Sequence, residues 1–187
     1  SQVNGFNCSY MTEDETENLL KQKTAVYALA VRTRGDGQEG ITAEEINLQY
    51  TSDGSVRKLL HDQNRFIWFL AFSQQQTYEL PASVSYDEDL FKKKIDSLKC
   101  LQNNIEPEDA YIRELEDGFE VVPEIEGTKI DYEKLTEDIS NAVRTGRTVA
   151  DLEADGCYIN PTAYASDLTK DCGQMNDLTD VVVTYDF

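Results

Sequence analysis

Apolar and polar positions along the chain follow two different periods, and the switches between them mark the elements. Thr12 with Glu15 forms the box in which a cap oxygen accepts an orphan amide of a first helical turn and a carboxylate returns the bond to the cap. Thr42 with Glu45 repeats it, so a second, short helix is expected there. Asp87 and Asp131 stand as caps ahead of two longer stretches. In these Leu90, Phe91, Ile95 and Leu98, then Leu135, Ile139 and Val143, recur at the spacing of one buried helical face. A further helix is expected over residues 55–64, turning Val56, Leu59 and Leu60 inward.

Four Asp-Gly pairs punctuate the chain, and two of them sit between strand-like runs, as tight hairpin turns do. The first hairpin pairs residues 25–31 with the segment leading to Ile41 across Asp36-Gly37. The second pairs residues 110–115 with 119–122 across Asp117-Gly118. Residues 77–86 read as an edge strand because Pro81 removes a ladder donor, and residues 181–187 read as a terminal strand. Helices and hairpins in this mixed order predict an α+β fold. A polar, turn-forming stretch at residues 51–55 predicts a division between a small strand-helix-hairpin unit, residues 1–52, and a larger α+β domain, residues 53–187.

Charge narrows the partners. The 187 residues carry 36 acidic against 17 basic side chains, a formal charge of −19 spread over the whole length, so nucleic acid and anionic lipid surfaces would be repelled. The longest basic run, Lys92-Lys93-Lys94, reads as a solvated helix face. No apolar stretch reaches the roughly 18 residues of a membrane span, which predicts no membrane contact by these residues. The chain opens on Ser1 and closes on a strand-like run, so it is expected to be a piece of a longer polypeptide.

Cys8, Cys100, Cys157 and Cys172 are too widely spaced for a structural zinc site and have only His61 to help them, so neither metal nor cofactor is expected. In an oxidising compartment the sequence-local pairing is Cys157 with Cys172, closing a loop worth about 3 kcal/mol. Four buried thiols are the alternative.

The opening Val3-Asn4-Gly5-Phe6-Asn7-Cys8-Ser9, the capped helix after Thr12, and Ile41-Thr42-Ala43-Glu44-Glu45-Ile46 resemble the N-terminal module of extracytoplasmic L,D-transpeptidases. Phe119-Glu120-Val121-Val122-Pro123-Glu124, then Gly127, Ile130-Asp131 and the helix from Tyr132 match that module's most recognisable stretch, and Tyr158 with Pro161 a later one. The same module is similar to one in vancomycin-resistance-associated surface proteins. The resemblance implies a peptidoglycan-engaging module on the outer side of a Gram-positive-type membrane, with an anchor upstream and a catalytic domain downstream. It transfers no catalytic residue, because the family's His-Gly-Cys nucleophile motif does not occur: His61 is followed by Asp62, and no cysteine follows a His-Gly pair.

A ligand could be held by aromatic faces flanked by amides, since a sugar ring offers C–H surface on one side and hydroxyls around its edge. Gln63, Asn64 and Trp68, with Tyr158 and Tyr164 on the Pro161 loop, are the candidates, although the apolar run around Trp68 also reads as core. Glu124 with Glu126 is the carboxylate pair a wall hydrolase would use, against the simpler reading of a solvated strand end. The sequence therefore predicts a non-catalytic wall-binding or positioning module, with a passive spacer as the alternative and a carboxylate-dependent hydrolase behind both.

Overall fold

The computed structural model describes residues 2–3, 6–7, 11–52, 54, 77–78 and 84–179. The fold is α+β, as the order of elements predicts, and the chain divides into two compact units, each discontinuous in sequence. One comprises Ser1–Lys99 and Tyr132–Asp155, the other Cys100–Asp131 and Gly156–Phe187. The expected division at residues 51–55 coincides with none of the three boundaries. The physical reason is the central strand of the first unit, which takes one of its two neighbours from residues 149–151.

In the first unit, β1 (Gln2–Val3) pairs with β2 (Phe6–Asn7) and runs parallel to β6 (Thr77–Tyr78). Helix α1 (Glu13–Ala25) starts at the expected box: the Glu15 amide donates to Thr12 Oγ1 at 3.3 Å, and the Thr12 amide donates to Glu15 Oε2 at 2.8 Å. The helix runs through Ala25, so the following strand begins three residues later than its apolar run suggests. Strand β3 (Ala28–Thr33) pairs antiparallel with β4 (Gly37–Thr42) across Arg34–Gly35–Asp36, and parallel with β10 (Val149–Asp151) on its other edge. Leu29, Val31 and Ile41 from this sheet are at most 1% exposed.

The second capping box is present but does not start a helix. The Thr42 amide donates to Glu45 Oε2 at 2.8 Å. Residues 43–47 then make a single turn, closed by the Leu48 amide on the Ala43 carbonyl, with Asn47 left-handed at φ 49°. Strand β5 (Gln49–Tyr50) follows and pairs with β7 (Val84–Ser85). Helix α2 (Glu88–Asp96) is capped by Asp87, whose side chain accepts from the Leu90 amide at 3.0 Å. Phe91, Ile95 and Leu98 are buried as predicted, whereas Leu90, expected in the same stripe, is 37% exposed and lies off the buried face. Lys92 and Lys93 are exposed as expected, but Lys94 turns to Glu45 at 2.6 Å. Helix α3 (Tyr132–Thr145) buries Leu135, Ile139 and Val143, each at 0–1% exposure, on the predicted face.

In the second unit, β8 (Tyr111–Leu115) and β9 (Gly118–Val122) form the predicted hairpin around Glu116-Asp117. Helix α4 (Ala165–Thr179), which the apolar pattern does not announce, packs on β9. Ala110, Ile130, Cys157, Tyr158, Pro161 and Cys172 are the buried residues among those described in this unit. The expected helix at residues 55–64, most of the expected strand at 77–86 and the terminal strand at 181–187 lie outside the described residues.

Candidate functional site

An open groove of about 460 Å³ lies in the first unit, along the solvent side of α3. Lys134, Glu137, Asp138, Ser140, Asn141 and Arg144 line it from the helix, and Asp155 joins them from the turn after β10. Helical geometry sets this up: the residues that stack on Leu135, Ile139 and Val143 face the core, so those one step round the helix, recurring at three- and four-residue intervals, share the opposite stripe.

Arg147 bridges two of the lining carboxylates. Its Nη2 lies 2.6 Å from Asp138 Oδ1 and 3.3 Å from Asp155 Oδ2, so one guanidinium ties the helix to the turn. The Arg147 carbonyl accepts from the Tyr27 hydroxyl at 2.5 Å, which fixes the backbone of this corner to the start of the sheet. Burial pushes the Tyr27 phenol up to about 12, so it is a permanent donor. Burial likewise raises the Asp138 carboxyl, against the pull of Arg147, while the Arg147 guanidinium, pulled by both carboxylates, stays charged. Asp138 Oδ2 and Arg147 Nε are buried and have no hydrogen-bond partner among the described residues. Ser140 is engaged from the other side, its hydroxyl 2.8 Å from that of Tyr86.

The residues singled out from the sequence are placed differently. Gln63, Asn64 and Trp68 lie outside the described residues, as does His61. Tyr158 is only 6% exposed and its backbone bridges Ile130, so it offers no face to solvent. Tyr164 is half-buried immediately before α4, its amide donating to Asp167 at 3.3 Å. Cys157 and Cys172 are both buried in the second unit, and Cys172 is a free thiol with the Asn176 amide nitrogen 3.9 Å from its sulfur, so the expected bridge is not formed in this structure. Glu124 accepts from the Ala165 amide at 2.8 Å, which holds its carboxyl below the usual range and makes it a cap for α4. Glu126 is exposed.

The other displaced carboxyls have structural causes of the same kind. Lys94 holds Glu45 low, Arg34 holds Glu153 low, and the Thr162 hydroxyl and amide hold Asp109 low. Among the described residues no cluster of three or more His, Cys, Asp or Glu side chains could hold a metal ion, and no helix is long and apolar enough to cross a membrane.

The groove residues were not legible as a site in the sequence. The available signal was the polar complement of the apolar stripe on α3, which any surface helix shows. A family model described as "Putative peptidoglycan binding domain" matches residues 40–150, a span that includes all of α3 and β10 as far as Ala150. No curated protein and no solved structure matches the chain.

Proposed function

The chain belongs to this family of peptidoglycan-binding domains, and from that premise we propose that it is a non-catalytic module which engages the wall and places a neighbouring L,D-transpeptidase domain of the same polypeptide at its substrate. The observation that carries the reading is the match over residues 40–150, more than half of the chain and the larger part of the first unit. The order of motifs along the chain supports the transpeptidase context. A location on the wall side of the membrane, with an anchor in a preceding segment, follows from the same reading.

Physical chemistry supports engagement without turnover. Nucleophilic catalysis needs a nucleophile beside a base that a third group orients. The displaced carboxyls described above are each accounted for by a cap, an ion pair or burial. The chain's formal charge of −19 disfavours polyanionic partners and leaves neutral sugar and zwitterionic peptide as compatible ones.

Co-sedimentation with purified peptidoglycan sacculi at physiological salt tests the reading. Retention that is saturable and releases no soluble fragments is expected. Protein left wholly in the supernatant would instead support a spacer, and released muropeptides would support a hydrolase.

A further inference from the structure

We propose that the groove on α3 is the binding site for the peptide stem of peptidoglycan, held lengthwise along the helix between Lys134 and Arg144. This deepens the wall-binding reading and rests on it.

Four observations select the ligand. Among the described residues no aromatic side chain lines the groove, so these residues offer no flat surface on which a sugar ring stacks, and glycan is disfavoured. The lining instead alternates in charge: Lys134 and Arg144 at the ends, and Glu137, Asp138 and Asp155 between and beneath them, with Arg147 offsetting the inner pair. On a chain so strongly acidic this is a nearly balanced patch. It suits a ligand that bears both carboxylates and a free amine, as a stem peptide with a diamino acid does.

Several groups in the middle and at the Arg144 end of the groove are also uncommitted. Glu137, Asn141 and Arg144, at successive turns of one face, make no side-chain hydrogen bond or ion pair among the described residues, and Asp138 Oδ2 is a buried acceptor without a donor. Asn141 presents an amide that can pair with a peptide bond on both its N–H and C=O sides. Length agrees as well. The ten steps of helix from Lys134 to Arg144 rise about 15 Å, and an extended five-residue peptide spans about 16 Å.

The test is titration of the isotope-labelled chain with a synthetic stem pentapeptide, followed by amide chemical shifts, beside the sacculus assay. Saturable shifts confined to residues 134–144 and the turn at Asp155 are expected. Arg144→Glu should weaken the peptide about tenfold, because it replaces a charge-assisted bond with a repulsion. Lys92→Glu, an exposed site on α2 with the same change in net charge, should leave it unaltered, and amide spectra of both variants report that each is folded. Equal weakening by both variants, or shifts elsewhere than α3, would overturn the proposal. If sacculi retain the chain while the pentapeptide leaves α3 unshifted, the groove assignment fails and wall binding stands. If the pentapeptide shifts α3 but sacculi do not retain the chain, the groove stands as a peptide site and the wall reading fails.

Discussion

Asp109 receives both the amide and the hydroxyl of Thr162, at 2.6 and 2.7 Å, across 53 residues of sequence. The Ala163 amide adds a third bond at 3.2 Å, and the Ala110 amide returns one to the Ala163 carbonyl. Two loops of the second unit are thereby stitched together just ahead of α4. Asp109→Ala should lower the melting temperature and speed hydrogen exchange at the Thr162 and Ala163 amides, whereas Asp109→Asn keeps an acceptor and should fall between. Unchanged exchange at those two amides in the Ala variant would count against this role.

Burial separates two leucine-like neighbours on α2. Ile95 is fully buried and Leu90 is 37% exposed. Ile95→Ala should cost about 2–5 kcal/mol through lost transfer and a residual cavity. Leu90→Ala, which leaves no void, should cost less than about 1 kcal/mol. Urea denaturation midpoints distinguish them, and equal costs would mean that the stripe read from periodicity is the true one.

How far the sequence announces the structure depends on whether the cause is local. Thr12 with Glu15, Asp87, and the spacing of Leu135, Ile139 and Val143 act within one or two turns, and each appears where expected. The Thr42–Glu45 box makes the same local bonds, but a cap specifies a start and not a length, and the turn ends when Asn47 goes left-handed. Helix α4 shows the opposite case. Gly173 lowers its helix propensity and Cys172 is its one buried residue, so neither propensity nor periodicity marks it. Its first-turn amide is satisfied by Glu124, some forty residues away. The groove depends on non-local pairing too, because Asp155 follows β10, whose place is set by its pairing with β3.

Gly127 sits at φ 67°, and a methyl group there would lie 2.5 Å from the Ile105 carbonyl oxygen and 2.8 Å from the Pro107 nitrogen, both backbone. Gly146 has a similar φ of 71° with nothing within 4 Å. Gly146→Ala should therefore show conformational strain alone, about 1 kcal/mol. Gly127→Ala adds overlap with a chain that cannot rotate away, and should cost about 3 kcal/mol or more. Thermal unfolding of the pair checks the difference.

Acid should destabilise the fold. Glu15, Glu45, Asp109, Glu124 and Glu153 are all held below the usual carboxylate range by amides, hydroxyls or cations. A carboxyl whose folded pKa lies below its unfolded value contributes stability above about pH 4 and loses it as pH falls through the folded value. Asp138, raised by burial, has the opposite sign: it favours the folded state more when protonated. Relief of repulsion in a chain of charge −19 also opposes the loss, so the fall is shallower than five carboxyls alone would give. Melting temperature should be nearly flat from pH 7 to about 5 and drop below about 4. A continued rise on acidification would contradict it.

Asn176 acts as a side-chain substitute for a strand. Its Oδ1 accepts from the Phe119 amide at 2.6 Å and its Nδ2 donates to the Phe119 carbonyl at 2.9 Å, so the outer edge of β9 is paired by α4 instead of by another strand. Asn176→Ala leaves both backbone groups without these bonds and should cost about 1–3 kcal/mol. Asn176→Asp is the sharper probe, because it keeps the acceptor but sets a second oxygen against the Phe119 carbonyl. That repulsion raises the new carboxyl's folded pKa above its unfolded value. The variant's stability relative to the parent should therefore be best at low pH, where the protonated acid donates to the carbonyl, and should be lost as pH rises through the folded pKa. If the difference between Asp and Asn variants is independent of pH from 3 to about 7, the two-bond pairing of Asn176 with Phe119 is not what holds α4 on β9.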